Sequence, residues 1–174
     1  MPGEMLGRWH DFLMLLGTAA ATLVGLMFVA VSVGQGMFSR ERQAPVRTLL
    51  SPTVVAFSCV LAVCLIGVAP VPDWTSLALL LGGVGGFGLI YSVAVFRRMA
   101  REGLLAKTDL EDRTWYATVP AVAYLILIAA ATAFWRGEHA GCDLLVVGTG
   151  LLMLAGLRNA WDMTTWVVMM RSKE

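Results

Sequence analysis

Long apolar segments without charge are the feature that most limits how this chain can fold. They lie at residues 12–34, 49–71, 74–96, 116–135 and 144–170, and the first four contain no Asp, Glu, Lys, Arg or His. An α-helix needs about 20 apolar residues to cross the ~30 Å hydrocarbon core of a bilayer. The sequence therefore predicts an all-α, polytopic integral membrane protein with five transmembrane helices, forming a single transmembrane domain over residues 1–174.

Composition excludes an ordinary soluble domain. Of 174 residues, 58% are hydrophobic and 14% are charged, whereas soluble proteins carry about 25% charged residues. The first apolar segment is 23 residues long. The apolar region of a signal peptide is only about 7–15 residues, so we expect this segment to be a retained helix. The net charge of +1 gives no reason to expect nucleic acid; the expected partner is the lipid bilayer.

The positions of the basic residues predict the orientation. Ten of the 13 basic residues follow helices one, three and five, which places them on one side of the membrane. Lys and Arg stay on the cytoplasmic side. We expect the amino terminus outside, the carboxy terminus in the cytoplasm, and a multi-pass location in the inner (plasma) membrane. The ten residues are Arg40, Arg42, Arg47, Arg97, Arg98, Arg101, Lys107, Arg113, Arg171 and Lys173.

Small residues recur at four-residue spacing in two of the predicted helices. Gly17, Ala21 and Gly25 repeat in helix one, and Gly82 and Gly86 repeat in helix three. Such stripes let helix backbones approach closely in lipid. We expect them to serve helix packing, and we expect the short chain to form a homo-oligomer or to join other membrane subunits.

The last apolar segment carries a polar group. Arg158, Asn159 and Asp162 lie among apolar neighbours, and an unpaired arginine in a transmembrane helix costs about 2.5 kcal/mol or more. Arg158 and Asp162 are four residues apart and share a face, but basic-before-acidic is the weaker order for such a pair. A second partner for Arg158 is therefore expected: a backbone carbonyl, a threonine of helix one, water in a cavity, or a neighbouring subunit. We expect Arg158 to point toward helix one or the oligomer axis. The group is either a hydrated or ligand-contacting intramembrane site, or a structural ion pair that fixes helix five.

A second polar cluster belongs to the outer face. The chain's two histidines fall there, together with several carboxylates and Cys142, one of three cysteines, in the outer loop before helix five. His, Cys and carboxylate together can bind zinc or copper. No other cofactor is expected, and we expect no enzyme, because no nucleophile–base–acid arrangement is visible. The candidate metal ligands are His10, Asp11, Glu138, His139, Cys142 and Asp143.

Two stretches carry a family resemblance. The opening "WHDFLMLLGTAAATLVGLMFVAVSVG" and the late "RNAW" resemble the first and last helices of a family of small bacterial multi-span inner-membrane proteins with no established activity. The likeness covers about residues 9–34 and 155–162, and it implies lineage rather than mechanism. Helix one also resembles the pore helix of the Orai calcium channels in its small residues and "GLMFVAVSV". It lacks the acidic filter residue and basic inner pore residues of that family.

Two functions follow as expectations. The first is a small oligomeric channel or permeation protein, in which Arg158, Asn159 and Asp162 line or gate a path. The second is a non-catalytic accessory or scaffold subunit, in which the same residues lock helices together. An outer-face metal-binding protein ranks third.

Overall fold

Five long helices make up most of the part of the chain that the structure describes. The computed structural model describes residues 6–34, 43–101 and 114–171. The helices are α1 (His10–Gly34), α2 (Gln43–Val68), α3 (Trp74–Arg101), α4 (Val119–Trp135) and α5 (Ala140–Arg171). One π-helical turn, Thr114–Thr118, leads directly into α4. The predicted all-α class and the presence of five helices are confirmed, whereas the crossing of a membrane by all five stays a prediction.

Four of these helices could cross a membrane by length and composition. In the described part of the chain they are His10–Ala30, Trp74–Arg98, Thr114–Trp135 and Ala140–Asp162, with lengths from 21 to 25 residues. The apolar part of α2 is shorter, at Pro52–Val68. Large apolar side chains such as Leu15, Ile90 and Leu154 are 60% or more exposed. Helices that are apolar on the outside as well as the inside are typical of membrane spans, so the chain is a multi-pass membrane protein.

Four helices form a closed ring and the fifth lies outside it. α2 packs on α3, α3 on α4, α4 on α5, and α5 back on α2. The α2–α3 edge is the least extensive of the four, and α1 packs mainly on the outer side of α2. α1 is therefore the peripheral helix of this bundle.

Large side chains fill the interior of the ring. Phe57 of α2, Leu81 of α3, Tyr124 and Leu127 of α4, and Leu152 of α5 are each 2% exposed or less. Side chains of all four helices thus meet at the centre, where interiors reach the density of organic crystals. Buried side chains therefore occupy the interior of the ring at the level of these residues.

The predicted packing residues do not share one role. Gly17 is buried, and a Cβ atom there would lie 3.0 Å from the Cβ of Cys64 on α2. Gly82 faces α4, where the corresponding atom would lie 3.6 Å from Ala131. Ala21 is exposed. Among described atoms outside their own helices, nothing lies within 4 Å of a Cβ built on Gly25 or Gly86.

Two other glycines make the closest contact between α3 and α4. A Cβ atom on Gly85 would lie 2.9 Å from Ile128 Cγ1 and 3.3 Å from its backbone nitrogen. At Gly88 it would overlap the ring of Tyr124. Gly85 and Gly88 lie three residues apart on the buried face of α3. The sequence had instead predicted Gly82 and Gly86, at four-residue spacing, as the packing residues of this helix.

Two helix starts differ from the prediction by four residues or more. α2 begins at Gln43 instead of residue 49, so Pro52 lies inside the helix. α5 begins at Ala140 instead of residue 144. Hydropathy marks where a segment becomes apolar, and a helix can extend into polar residues beyond that point. The predicted outer-loop position of Cys142 is therefore wrong: it lies in the first turn of α5.

Candidate functional site

The polar residues of α5 form an ion pair. Arg158 Nε donates to Asp162 Oδ2 at 3.1 Å, and the two side chains are 40% and 27% exposed. The unfavourable order of the two residues thus does not prevent the pair from forming. Pairing reduces the cost of both charges at this depth.

An aromatic ring, which was not among the expected partners, lies beside Arg158. The Arg158 Cζ atom lies 5.9 Å from the ring centroid of Trp115, within the range of a cation–π interaction. Trp115 belongs to the π-helical turn before α4. The polar group of α5 therefore contacts the start of α4.

Asn159 makes a second link to the same residue. Its Nδ2 atom donates to the backbone carbonyl of Trp115 at 3.5 Å, a long hydrogen bond. Asn159 is 2% exposed, so its amide is enclosed between helices, while Arg158 and Asp162 lie at the edge of the bundle. The three predicted residues thus lie on one stretch of α5, and Trp115 is a partner of both Arg158 and Asn159.

Two buried oxygens in this region have no hydrogen-bond partner among the described residues. They are Asn159 Oδ1 on α5 and Thr53 Oγ1 on α2. Thr53 is 0% exposed and directly follows Pro52. By contrast, the buried Thr149 hydroxyl donates to the Leu145 carbonyl of its own helix at 2.6 Å. Unpartnered buried polar atoms are uncommon in native proteins and require an explanation.

Sequence reasoning missed Trp115 and Thr53 as members of this site. Trp115 had only the pattern of an interfacial aromatic residue, and Thr53 that of a small residue in an apolar helix. Their roles come from contacts across the bundle: Trp115 is 44 positions from Asn159 in the chain. A π-helical turn, which is enriched at functional sites, has no clear sequence signal.

The residues of the predicted metal cluster lie at one end of the bundle. His10 begins α1 and lines a small pocket of about 150 Å³ with Gly7 and the end of α2. Glu138 and His139 lie in the turn between α4 and α5, where Glu138 Oε1 is 3.9 Å from Arg136 Nη1. Asp11 and Asp143 lie in the first turns of α1 and α5.

This arrangement gives the metal site little support. Cys142 is buried, at 5% exposure, and its amide donates to the His139 carbonyl at 3.1 Å. In the part of the chain that the structure describes, no three His, Cys, Asp or Glu side chains are grouped so that they could hold a metal ion. The metal site stays a prediction, and the α5 group is the stronger candidate site.

The loop between α2 and α3 carries a helix cap. Asp73 Oδ1 accepts from the Ser76 amide at 2.7 Å, and Oδ2 accepts from the Ser76 hydroxyl at 2.9 Å. These hydrogen bonds, the backbone bond first, lower the pKa of Asp73. The carboxylate thereby satisfies an amide that the helix leaves free at its start.

Comparison with known proteins gives no family for this chain. No family model, no curated protein and no solved structure matches it.

Proposed function

We propose that this protein is a non-catalytic accessory or scaffold subunit of a membrane complex, with Arg158, Asn159 and Asp162 acting as an interhelical lock. One observation carries the proposal: Arg158 pairs with Asp162, and both Arg158 and Asn159 contact Trp115, at the start of α4. Residues that line a path would face an open axis. The centre of the ring is instead filled by Phe57, Tyr124 and Leu127.

The peripheral helix α1 supplies the partner-binding surface. One side of α1 is buried against α2, whereas Thr18, Ala21, Thr22 and Gly25 are exposed. The Thr22 hydroxyl donates to the Thr18 carbonyl at 2.8 Å, so this face is smooth and has no unsatisfied donor. Small residues with satisfied hydroxyls are typical of helix–helix interfaces in lipid. The partner is a second copy of this chain or another membrane subunit.

Site-specific photocrosslinking tests this proposal. A photoreactive amino acid replaces Ala21, on the small-residue face of α1, or as a control Ile90, which is 72% exposed on α3. We expect a protein adduct of defined mass from position 21 but not from position 90, since only the first lies at the proposed interface. The mass distinguishes a second copy from another subunit. Identical lipid-only adducts at both positions would contradict the proposal.

The orientation belongs to the same proposal. Charge bias places the amino terminus outside and the carboxy terminus in the cytoplasm of an inner (plasma) membrane. A reporter fused after Glu174 is expected to report the cytoplasm, and one placed before Met1 the outside. Reporters that place both termini on one side would contradict a five-span arrangement, since an odd number of spans separates the termini.

A further inference from the structure

The inner half of the α2–α5 interface contains an unexplained pair of oxygens. Thr53 Oγ1 on α2 and Asn159 Oδ1 on α5 are both buried, and neither has a hydrogen-bond partner among the described residues. The two residues are 0% and 2% exposed. Bulk water therefore does not reach these atoms, although each can accept a hydrogen bond.

A contact between the two helices sets their relative level. A Cβ atom on Gly156 of α5 would lie 2.6 Å from the Phe57 ring of α2. α2 and α5 run antiparallel, because α3 begins near the end of α2 and Trp74 of α3 stacks on Phe134, close to the start of α5.

The two oxygens lie at nearly the same depth. Thr53 is four residues before Phe57, and Asn159 is three residues after Gly156. Because the helices are antiparallel, Thr53 and Asn159 are displaced from this contact toward the same end of the bundle. At 1.5 Å per residue, Thr53 lies roughly 6 Å and Asn159 roughly 4.5 Å from it along the helix axes. They are thus level with each other on packed helices, yet they form no hydrogen bond with each other.

We infer that one buried water molecule bridges Thr53 Oγ1 and Asn159 Oδ1. The water donates to Asn159 Oδ1, and with Thr53 it forms one hydrogen bond, either donating to Oγ1 or accepting from the hydroxyl. Buried waters occur where otherwise unsatisfied polar groups converge, with about three hydrogen bonds each. The site ties α2 to α5 in the way that Trp115 ties α4 to α5.

Pro52 provides the third partner. It lies inside α2 and has no amide hydrogen to donate to the backbone carbonyl four residues earlier. In membrane helices, ordered water and neighbouring Ser or Thr side chains satisfy the carbonyls that proline leaves free. That carbonyl belongs to residue 48. Helical carbonyls point toward the carboxy end of the helix, so it points toward Pro52, the residue before Thr53.

The chemistry of the site favours water over a cation. The two side-chain oxygens are neutral, and residues 43–68 of α2 contain no Asp or Glu. The Arg158 guanidinium is attached to the residue next to Asn159, and its positive charge opposes a second cation close by.

Asn159 is the only asparagine in the chain, so the water can be observed directly. Labelling the full-length protein with ¹⁵N-asparagine in lipid nanodiscs gives a single side-chain amide signal. We expect magnetisation transfer from water to this amide, because a resident water lies beside it. No transfer in the unmodified protein would overturn the inference.

Two variants at position 53 identify the bridge. Thr53→Val removes the hydroxyl at nearly constant volume and is expected to abolish the water signal at Asn159. Thr53→Ser keeps the hydroxyl and is expected to retain it. Equal transfer in Thr53→Val and the unmodified protein would show that Thr53 does not hold the water. Because the unmodified protein is itself decisive, the test does not depend on either variant folding.

Discussion

At the scale of single residues, substitutions of Asp162 and Arg158 test whether their ion pair stabilises the protein. Asp162→Leu removes the carboxylate that binds Arg158 at 3.1 Å, whereas Arg158→Leu removes the charge that is costly in lipid. We expect Asp162→Leu to destabilise the protein by up to about 2–3 kcal/mol, and Arg158→Leu to change stability much less. Restored stability in the double variant would show that the loss comes from the arginine charge.

A thiol-reactive dye can measure these effects. Cys59, Cys64 and Cys142 are all buried, so the dye reacts as heating exposes them, and the midpoint of the rise reports stability. Equal midpoints for Asp162→Leu and Arg158→Leu would contradict the predicted asymmetry.

Asp73 gives a prediction for pH. Hydrogen bonds from Ser76 lower the pKa of Asp73 in the folded protein, so the folded state favours the ionised carboxylate. The resulting stabilisation is present above the unfolded pKa of about 3.9 and is lost as the pH falls through the lower folded value.

Asp73→Asn is the matched variant, because its amide oxygen can still accept from Ser76 but does not titrate. The difference in midpoint between the unmodified protein and Asp73→Asn should shrink as the pH falls below about 4. A difference that stays constant over this range would show that the Asp73 charge does not contribute.

The polar group of α5 could be predicted from sequence because each member is unusual where it stands. Arg158, Asn159 and Asp162 are polar within an apolar segment, and the cost of such residues in lipid marks them as a site. Trp115 and Thr53 could not be predicted in the same way, because each is ordinary in its own segment. Their part in the site depends on which helices become neighbours.

At the scale of helices, the α3–α4 contact depends on two glycines. Alanine at Gly88 would overlap the Tyr124 ring, and alanine at Gly85 would lie 2.9 Å from Ile128. We expect Gly88→Ala and Gly85→Ala to lower stability by about 1–3 kcal/mol, the usual range for overpacking, as measured by the dye midpoint.

Gly86 is the control, since described atoms outside its own helix leave space for a Cβ there. Gly86→Ala should leave stability unchanged or slightly higher, because alanine is the better helix former. An equal loss at Gly86 and Gly88 would contradict the close contact with Tyr124.

Hydropathy predicted the number of helices correctly, but it did not predict where each helix ends or which face of it packs. The five apolar segments lie within the five helices, apart from residues 69–71 and the start of the fourth segment, which lies in the π-helical turn. α2 extends through polar residues back to Gln43, where hydropathy has no signal. Gly85 and Gly88 were not distinguished from Gly82 and Gly86 because all four lie within one glycine-rich stretch, and only the position of α4 separates them.

At the scale of the whole molecule, the ring of α2, α3, α4 and α5 could not be derived from composition. In a soluble protein the apolar face of a helix points to the core, but here both sides of a helix are apolar. Leu79 is 66% exposed and Leu81 is 0% exposed on the same helix, and nothing in their chemistry distinguishes them. The arrangement depends on shape, through the glycines and the large side chains that meet them.

Ion flux through reconstituted vesicles tests most directly whether the polar group locks a filled bundle or lines a path. Purified protein is incorporated into liposomes, and flux is compared among the unmodified protein, Arg158→Leu and protein-free vesicles. The filled interior and the contacts of Arg158 with Asp162 and Trp115 predict flux no higher than in protein-free vesicles for both proteins. Flux that rises with the amount of protein and changes ion selectivity in Arg158→Leu would contradict the account.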